Sequence, residues 1–135
     1  MEVNVDRVMN ASPKTLYAMW TDPELISEWF GVKVDIKPKI GGYLRFALGK
    51  GNGKDLPHGV YKILDPYNRV AFTWNAYNGE LPTGETLVTV TFTPEGTNNT
   101  RMTLVHSGFS TEVARAEHDK GWNYFYGKWE SKLNQ

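Results

Sequence analysis

The sequence predicts one α+β domain in which an antiparallel sheet of about six to seven strands packs against a long C-terminal helix. Two observations predict this fold. The apolar residues change from a helical spacing of 3.6 to a strand spacing of 2 near residue 32, and return to helical spacing after residue 109. Short turns connect the strands between these points, so neighbouring strands must run antiparallel. We expect residues 1–135 to form this single domain.

The C-terminal segment, residues 111–135, has the pattern of an amphipathic helix. Its large apolar residues recur at helical spacing and form one mostly aromatic stripe: Trp122, Phe125, Tyr126, Trp129 and Leu133. Ser110 or Thr111 is a suitable N-cap. Gly121 disfavours a helix by about 1 kcal/mol relative to alanine. We therefore expect a strand or a ligand to pass close to Gly121.

The N-terminal region predicts one strand followed by two short helices. Residues 2–9 are rich in β-branched side chains, which favour a strand. Ser12 precedes a proline, and this pair predicts the start of the first helix. Thr21 and Glu24 have the spacing of a capping box at the start of the second helix, and Gly31 is a suitable C-cap for it.

The central region alternates apolar and polar residues and predicts six further strands. These are residues 32–37, 43–48, 59–64, 69–76, 86–93 and 101–107. The glycine-rich residues 49–57 predict a flexible loop, and residues 77–84 predict a second loop.

Composition excludes several classes of function. The chain has no cysteine, so it has neither disulfides nor thiolate metal sites, and a reducing compartment suits it. Fifteen basic residues balance fifteen acidic residues, which does not favour binding to nucleic acid or to an anionic membrane. No segment resembles a signal peptide or a transmembrane helix. We expect a cytoplasmic protein without a cofactor.

The three histidines differ in their expected surroundings. His106 shares a strand face with Met102 and Leu104, which predicts an inward-pointing, hydrogen-bonded core residue. His58 precedes a strand and is a candidate for the mouth of a pocket. His118 lies one turn before Trp122 and is expected to brace the helix against the sheet. No pair of histidines has short metal-ligand spacing, so no metal site is expected.

Aromatic residues are abundant, with five tryptophans, seven tyrosines and six phenylalanines. Such wide rings either fill the core or leave an apolar cavity where a curved sheet covers a helix. Composition alone leaves both possibilities open.

Several segments together resemble the domain family named for the activator of Hsp90 ATPase homologue. The matching segments are Ala11-Ser12-Pro13, Thr21-Asp22-Pro23-Glu24, Trp29-Phe30-Gly31, Gly59, residues 69–74, residues 88–92, residues 106–109, and His118 with Gly121-Trp122. That family belongs to the superfamily of START domains and birch-pollen allergens, whose helix-grip fold wraps an antiparallel sheet around a C-terminal helix. The resemblance implies a cavity between the two, which in many relatives receives lipids, sterols, polyketides or flavonoid-like compounds.

We therefore expect the chain to bind a small hydrophobic or aromatic ligand between the sheet and the last helix. The expected lining residues are Trp20, Trp29, Phe46, Phe72, Trp74, Val90, Phe92, Leu104, His106, Trp122, Phe125, Tyr126 and Trp129. Two alternatives remain open. One is a protein-interaction module related to Hsp90 co-chaperones or to stress response. The other is an enzyme acting on a polyketide-like substrate, with His58 or His106 as general acid or base.

Overall fold

The computed structural model describes residues 1–47, 57–78, 81–82 and 84–135. The described residues form three helices and nine strands. In chain order these are β1 (Glu2–Met9), α1 (Pro13–Thr21), α2 (Pro23–Phe30), β2 (Val34–Ile36), β3 (Tyr43–Phe46), β4 (His58–Asp65), β5 (Arg69–Trp74), β6 (Tyr77–Asn78), β7 (Leu81–Pro82), β8 (Thr86–Pro94), β9 (Thr100–Ser107) and α3 (Glu112–Leu133).

Seven strands form one curved antiparallel sheet in the order β1-β9-β8-β5-β4-β3-β2. This arrangement confirms the predicted α+β fold and the antiparallel connections. The register places inward-facing side chains side by side across the sheet because alternate residues of a strand point to the same face. One such row runs through Val3, His106, Val88, Phe72 and Tyr61. The sheet therefore presents a continuous inner face that α3 covers.

Helix α3 begins and ends close to the predicted residues. The Thr111 hydroxyl accepts a hydrogen bond from the Ala114 amide, which confirms Thr111 as the N-cap. Trp122, Tyr126 and Trp129 are buried, as the aromatic stripe predicts. The expectation of a close approach at Gly121 was wrong. Among the described residues, a Cβ atom added at Gly121 would have no neighbour within 4 Å, so packing in this part of the structure does not require the glycine.

The two short helices meet at Asp22 rather than at a capping box. Ser12 caps α1 as predicted, with its hydroxyl accepting from the Thr15 amide. Thr21 is the last residue of α1, so its predicted role as the cap of α2 was wrong. Asp22 is the N-cap, and its carboxylate accepts from the amides of Glu24 and Leu25. A carboxylate is favoured at this position because it lies at the positive end of the helix dipole.

Parts of the predicted loops and strand ends differ from the structure or lie outside the described residues. The predicted loop at residues 77–84 contains the short antiparallel pair β6 and β7. Strand β5 ends at Trp74 rather than at residue 76, because Asn75 leaves the β8 ladder and forms an isolated bridge with His58. The predicted loop at residues 49–57 lies outside the described residues except for Pro57. The same holds for Leu48 of the predicted third strand.

Candidate functional site

The inner face of the sheet and the facing side of α3 enclose an aromatic interior, which includes or borders most of the thirteen predicted lining residues. Eight of them have no surface that water can reach: Trp20, Phe46, Phe72, Val90, Leu104, His106, Tyr126 and Trp129. Trp29, Trp74, Phe92 and Trp122 keep between 3% and 7% of their surface accessible, and Phe125 is half-buried.

Trp20 connects helix α1 to the centre of this interior. Its ring centroid lies 6.0 Å from those of Phe72 and Trp122 and 5.4 Å from that of Trp129. Its indole N–H has no hydrogen-bond partner within the described ranges. Among the residues that the structure describes, it is the one buried side-chain polar atom in this condition. Such a group normally finds a partner in a folded protein, so Trp20 requires an explanation.

A second group of rings extends from the centre toward the partly accessible Phe125. Phe46 lies 5.1 Å from Trp74, and Trp74 lies 5.7 Å from Trp122 between ring centroids. Trp122 is in turn 6.4 Å from Phe125. The interior is therefore continuous from the buried Trp20 to a side chain that solvent reaches.

Phe92 lies apart from these rings. Its aromatic neighbour is Tyr17 of α1, 6.0 Å away between centroids. Val90 and Leu104 face each other across β8 and β9 and belong to the same buried core. The structure thus brings most of the predicted residues together but places Phe92 against the first helix.

His106 lies within a continuous chain of buried hydrogen bonds. The Trp122 indole N–H donates to His106 Nδ1 over 3.0 Å, so Nδ1 is the unprotonated nitrogen. His106 Nε2 must then carry the proton, which it donates to the Thr86 hydroxyl at 2.7 Å. The Thr86 hydroxyl donates onward to the Trp74 backbone carbonyl at 2.8 Å. Every polar group in this chain has a partner.

His118 has the opposite tautomer for the same reason. The Trp74 indole N–H donates to His118 Nε2 over 3.1 Å, so the proton lies on Nδ1. That nitrogen donates to the Ala114 carbonyl at 2.8 Å. The bond from Trp74 to His118 joins β5 to α3 and confirms that His118 braces the helix against the sheet.

Both histidine rings are held neutral. Burial, with a smaller contribution from the neighbouring His118, lowers the pKa of His106 to about 3. Burial also lowers the pKa of His118, against the opposing effects of the Ala114 carbonyl and Glu117. A second proton on either ring would face an indole N–H that already donates to that nitrogen. The prediction that His106 is a hydrogen-bonded core residue is confirmed, whereas His58 is exposed at the start of β4.

Sequence reasoning missed three residues that shape this interior. Phe30 contacts five aromatic rings, the nearest being Phe125 at 4.8 Å between centroids. The Tyr61 hydroxyl donates to the Trp20 carbonyl at 2.7 Å. Thr86 bridges His106 and Trp74, as described above. Strand parity was the available signal for Thr86, because it shares the inner face with Val88, and the apolar pattern of α2 was the signal for Phe30.

No group of three or more metal-ligating side chains lies together in the described part of the chain. None of the three described helices has both the length and the apolar character needed to cross a membrane.

Comparison with known proteins agrees with this geometry. Residues 10–133 match the model of a family described as "Activator of Hsp90 ATPase homolog 1-like protein". Protein MLL2253 from Mesorhizobium loti is 28% identical, with a TM-score of 0.83 over 99% of this chain and 97% of that one. CalU16 from Micromonospora echinospora is 25% identical, with a TM-score of 0.74 over 96% of this chain and 76% of that one.

A third structure, an HSP90 activator from Plasmodium falciparum, shares the fold at 19% identity and a TM-score of 0.81, over 99% of this chain and 96% of that one. The comparison with curated proteins gave no match. Because the family model matches residues 10–133, which are most of the chain, the chain belongs to the family of activator of Hsp90 ATPase homolog 1-like proteins.

Proposed function

We propose that the chain binds a small apolar or aromatic molecule that carries a hydrogen-bond acceptor, and that it binds this molecule between the sheet and α3. The observation that carries the proposal is the unpaired indole N–H of Trp20 in the middle of an aromatic interior. Three other tryptophans, Trp74, Trp122 and Trp129, each donate to a protein acceptor. Trp20 differs from these three because its indole N–H has no acceptor among the described residues.

The unpaired donor favours a ligand with an oxygen atom. Leaving a buried N–H without a partner destabilises a fold by about 1–3 kcal/mol. A carbonyl or hydroxyl oxygen placed next to the Trp20 nitrogen removes that penalty, while the surrounding rings contact the rest of the molecule. Sites for small molecules commonly combine an apolar lining with a few polar groups in this way.

Entry of a ligand requires the rings to separate. Trp20, Phe72 and Trp129 have no accessible surface, so a guest reaches Trp20 only by moving neighbouring side chains. Phe125 is half-buried and connects through Trp122 to Trp20. We expect the guest to enter between α3 and the sheet beside Phe125, and we expect Phe92, which lies against α1, to take no part.

The test measures the melting temperature and the tryptophan emission of the protein with a panel of fatty acids, sterols and flavonoids. The panel includes fluorenone and fluorene, which have the same ring system with and without a carbonyl oxygen. We expect bound compounds to raise the melting temperature and to change the emission. A panel in which neither quantity changes contradicts the proposal.

The variant Trp20→Phe tests the hydrogen bond itself. It removes the indole N–H and keeps an aromatic ring, so it should weaken fluorenone binding by up to about tenfold and leave fluorene binding unchanged. Tyr124→Phe is the matched control because Tyr124 is 65% exposed on α3. An equal loss for both compounds in Trp20→Phe would mean that ring packing, and not the N–H group, selects the ligand.

A protein-partner role is the second candidate. The family name and the Plasmodium falciparum neighbour both refer to activation of Hsp90. In this chain, Val113 and Tyr124 are each 65% exposed on the solvent side of α3, where charged residues are more usual. If no compound of the panel binds, this candidate becomes the better explanation.

A further inference from the structure

The charges of this chain are unevenly distributed although their sum is zero. Residues 33–62 contain seven basic residues and two acidic residues, while the rest of the chain contains eight basic and thirteen acidic residues. The first segment therefore carries five net positive charges and the remainder five net negative charges. The overall neutrality of the chain hides this separation.

The described cations of this segment lie on strands at one edge of the sheet and on the turns next to them. Lys33, Lys37, Lys39, Arg45 and Lys62 are all exposed. None of them forms an ion pair with another residue within the described ranges. Elsewhere, half of the eight basic residues are paired with a carboxylate: Arg7, Arg101, Arg115 and Lys132.

Strand register places part of this group on the outer face of the sheet, opposite the aromatic interior. Leu44 and Phe46 of β3 are buried, so Tyr43 and Arg45 point outward. Tyr43 lies opposite Val60 of β4, and the Val60 amide donates to the Thr73 hydroxyl of β5. Because neighbouring strands are about 5 Å apart, Tyr43 lies about 10 Å from Thr73.

A depression of about 390 Å³ begins on the same face beside Lys62. Its floor consists of short side chains, among them Ala71 and Thr73, and these two are nearly fully buried although they point away from α3. Ile63 and Leu87 form apolar walls of the depression. Glu85, the residue just before β8, also lines it. Short residues at the centre and longer ones around them create the hollow.

We propose that this surface, which we call the cationic outer face (Lys37, Tyr43, Arg45, Lys62 and the depression), binds an acidic segment of another protein. An apolar side chain of the partner enters the depression, and its carboxylates face Arg45 and Lys62. Charge complementarity of this kind accelerates association and selects among partners. The inference does not depend on the proposed ligand, because it uses the opposite side of the sheet.

A protein partner fits this surface better than a nucleic acid does. The acidic Asp35 lies opposite Arg45 in the β2–β3 ladder, and Glu85 contributes to the depression. Both would repel an anion placed against them, so a partner whose few carboxylates can avoid these two positions fits better than a backbone with a phosphate at every nucleotide. The apolar walls at Ile63 and Leu87 match a hydrophobic side chain, and a phosphate backbone has nothing to place there.

The test selects binders to the whole chain from a random peptide display library and measures the affinity of the enriched peptides by fluorescence anisotropy. We expect acidic peptides that contain a large apolar residue, with binding that weakens as sodium chloride is raised from about 50 to about 500 mM. The variant Arg45→Glu/Lys62→Glu should lose at least about tenfold in affinity for them. Lys14→Glu/Lys120→Glu, which makes the same change in net charge at exposed sites elsewhere, should retain binding.

The depression is tested separately with Leu87→Ser, which shortens a 37% exposed wall residue, against Val8→Ser at a 41% exposed position of β1. We expect only Leu87→Ser to weaken binding. Circular dichroism melting confirms that each variant is folded.

The proposal is overturned if no peptide is enriched, if the enriched peptides are not acidic, or if the Arg45→Glu/Lys62→Glu variant binds them equally well. It is also overturned if single-stranded DNA or anionic vesicles bind the same residues more tightly. Trp20→Phe should bind the peptides normally, which separates this proposal from the ligand proposal.

Discussion

At the scale of single residues, the buried His106 and the half-buried His118 show how indole groups fix protonation. An indole N–H donates but cannot accept, so the histidine nitrogen that it meets must be unprotonated. Trp122 imposes this on His106 Nδ1, and Trp74 imposes it on His118 Nε2. The two rings have different tautomers although their centroids are 5.2 Å apart. Each ring therefore works as a neutral bridge between two elements.

Thr86 is the residue on which the longer of these chains depends, and we expect Thr86→Val to destabilise the fold by about 1–3 kcal/mol. The change keeps the shape of the side chain but leaves His106 Nε2–H without its acceptor in a buried site and removes the hydroxyl bond to the Trp74 carbonyl. Urea unfolding measures the difference. Thr91→Val, at a half-buried position on the outer side of the same strand, is the control and should change stability by less than about 0.5 kcal/mol. Equal effects in the two variants would show that the hydroxyl of Thr86 has no special role.

At the scale of elements, α3 is attached to a different partner at each successive turn. His118 bonds to Trp74, and Trp122 bonds to His106. One turn later the Tyr126 hydroxyl donates to the Met102 carbonyl, and then the Trp129 indole donates to the Trp29 carbonyl of α2. Their spacing of three or four residues keeps all four on the buried side of the helix. Any ligand that separates α3 from the sheet must break or rearrange some of these bonds.

The glycines of α3 lie away from this buried side, and we expect Gly121→Ala and Gly127→Ala each to stabilise the protein by about 0.5–1 kcal/mol. Alanine favours a helix over glycine, and a Cβ atom at either position would meet none of the described atoms within 4 Å. Thermal unfolding monitored by circular dichroism measures the change. A loss of stability in these variants would contradict the assignment of both glycines to an open side of the helix.

Gly59→Ala is the contrasting control for these helix variants. A Cβ atom at Gly59 would lie 1.6 Å from the Thr73 backbone carbonyl oxygen, so β4 and β5 could not keep their spacing. We expect this change to destabilise the fold by at least about 1–3 kcal/mol.

Periodicity predicted the elements of this fold but not the bonds between them. The alternation in residues 86–93 and the aromatic stripe of α3 follow from local geometry, so strand β8 and helix α3 could be located from the sequence. The cap of α2 could not be assigned with certainty, because Thr21 and Asp22 both have suitable side chains and only the end of α1 decides between them. Gly121 was misread since a helical glycine on the open face looks the same in sequence as one against a neighbour.

The candidate site was predictable in composition and not in arrangement. Strand parity placed His106 and Trp74 inside, but their partners Trp122 and His118 come from a helix whose rotation about its axis is set by packing. Phe92 has the same parity as Val90 but lies against Tyr17, because α1 covers that end of the sheet. The position and the partner of a side chain with a given strand parity therefore depend on contacts between distant parts of the chain.

At the scale of the whole molecule, the neutral histidines make stability depend on pH. In the unfolded chain a histidine takes up a proton below a pH of about 6.5. In the fold, His106 resists protonation down to a pH of about 3, and the pKa of His118 is also lowered. Between these limits the unfolded state binds more protons than the folded state, so acidification favours unfolding. The stabilisation is fully present above a pH of about 6.5 and is lost as the pH falls toward 3.

We therefore expect the free energy of unfolding to decrease from pH 7 to pH 4, with His106 contributing up to about 1.4 kcal/mol per pH unit below a pH of about 6. Urea unfolding at several pH values measures the slope. His106→Gln keeps a polar side chain that does not titrate, so its stability at pH 7 should be lower but its decline between pH 6 and pH 4 should be shallower than that of the unchanged protein. If the slopes of His106→Gln and the unchanged protein are the same, proton uptake by carboxylates and not by the buried histidine governs acid unfolding.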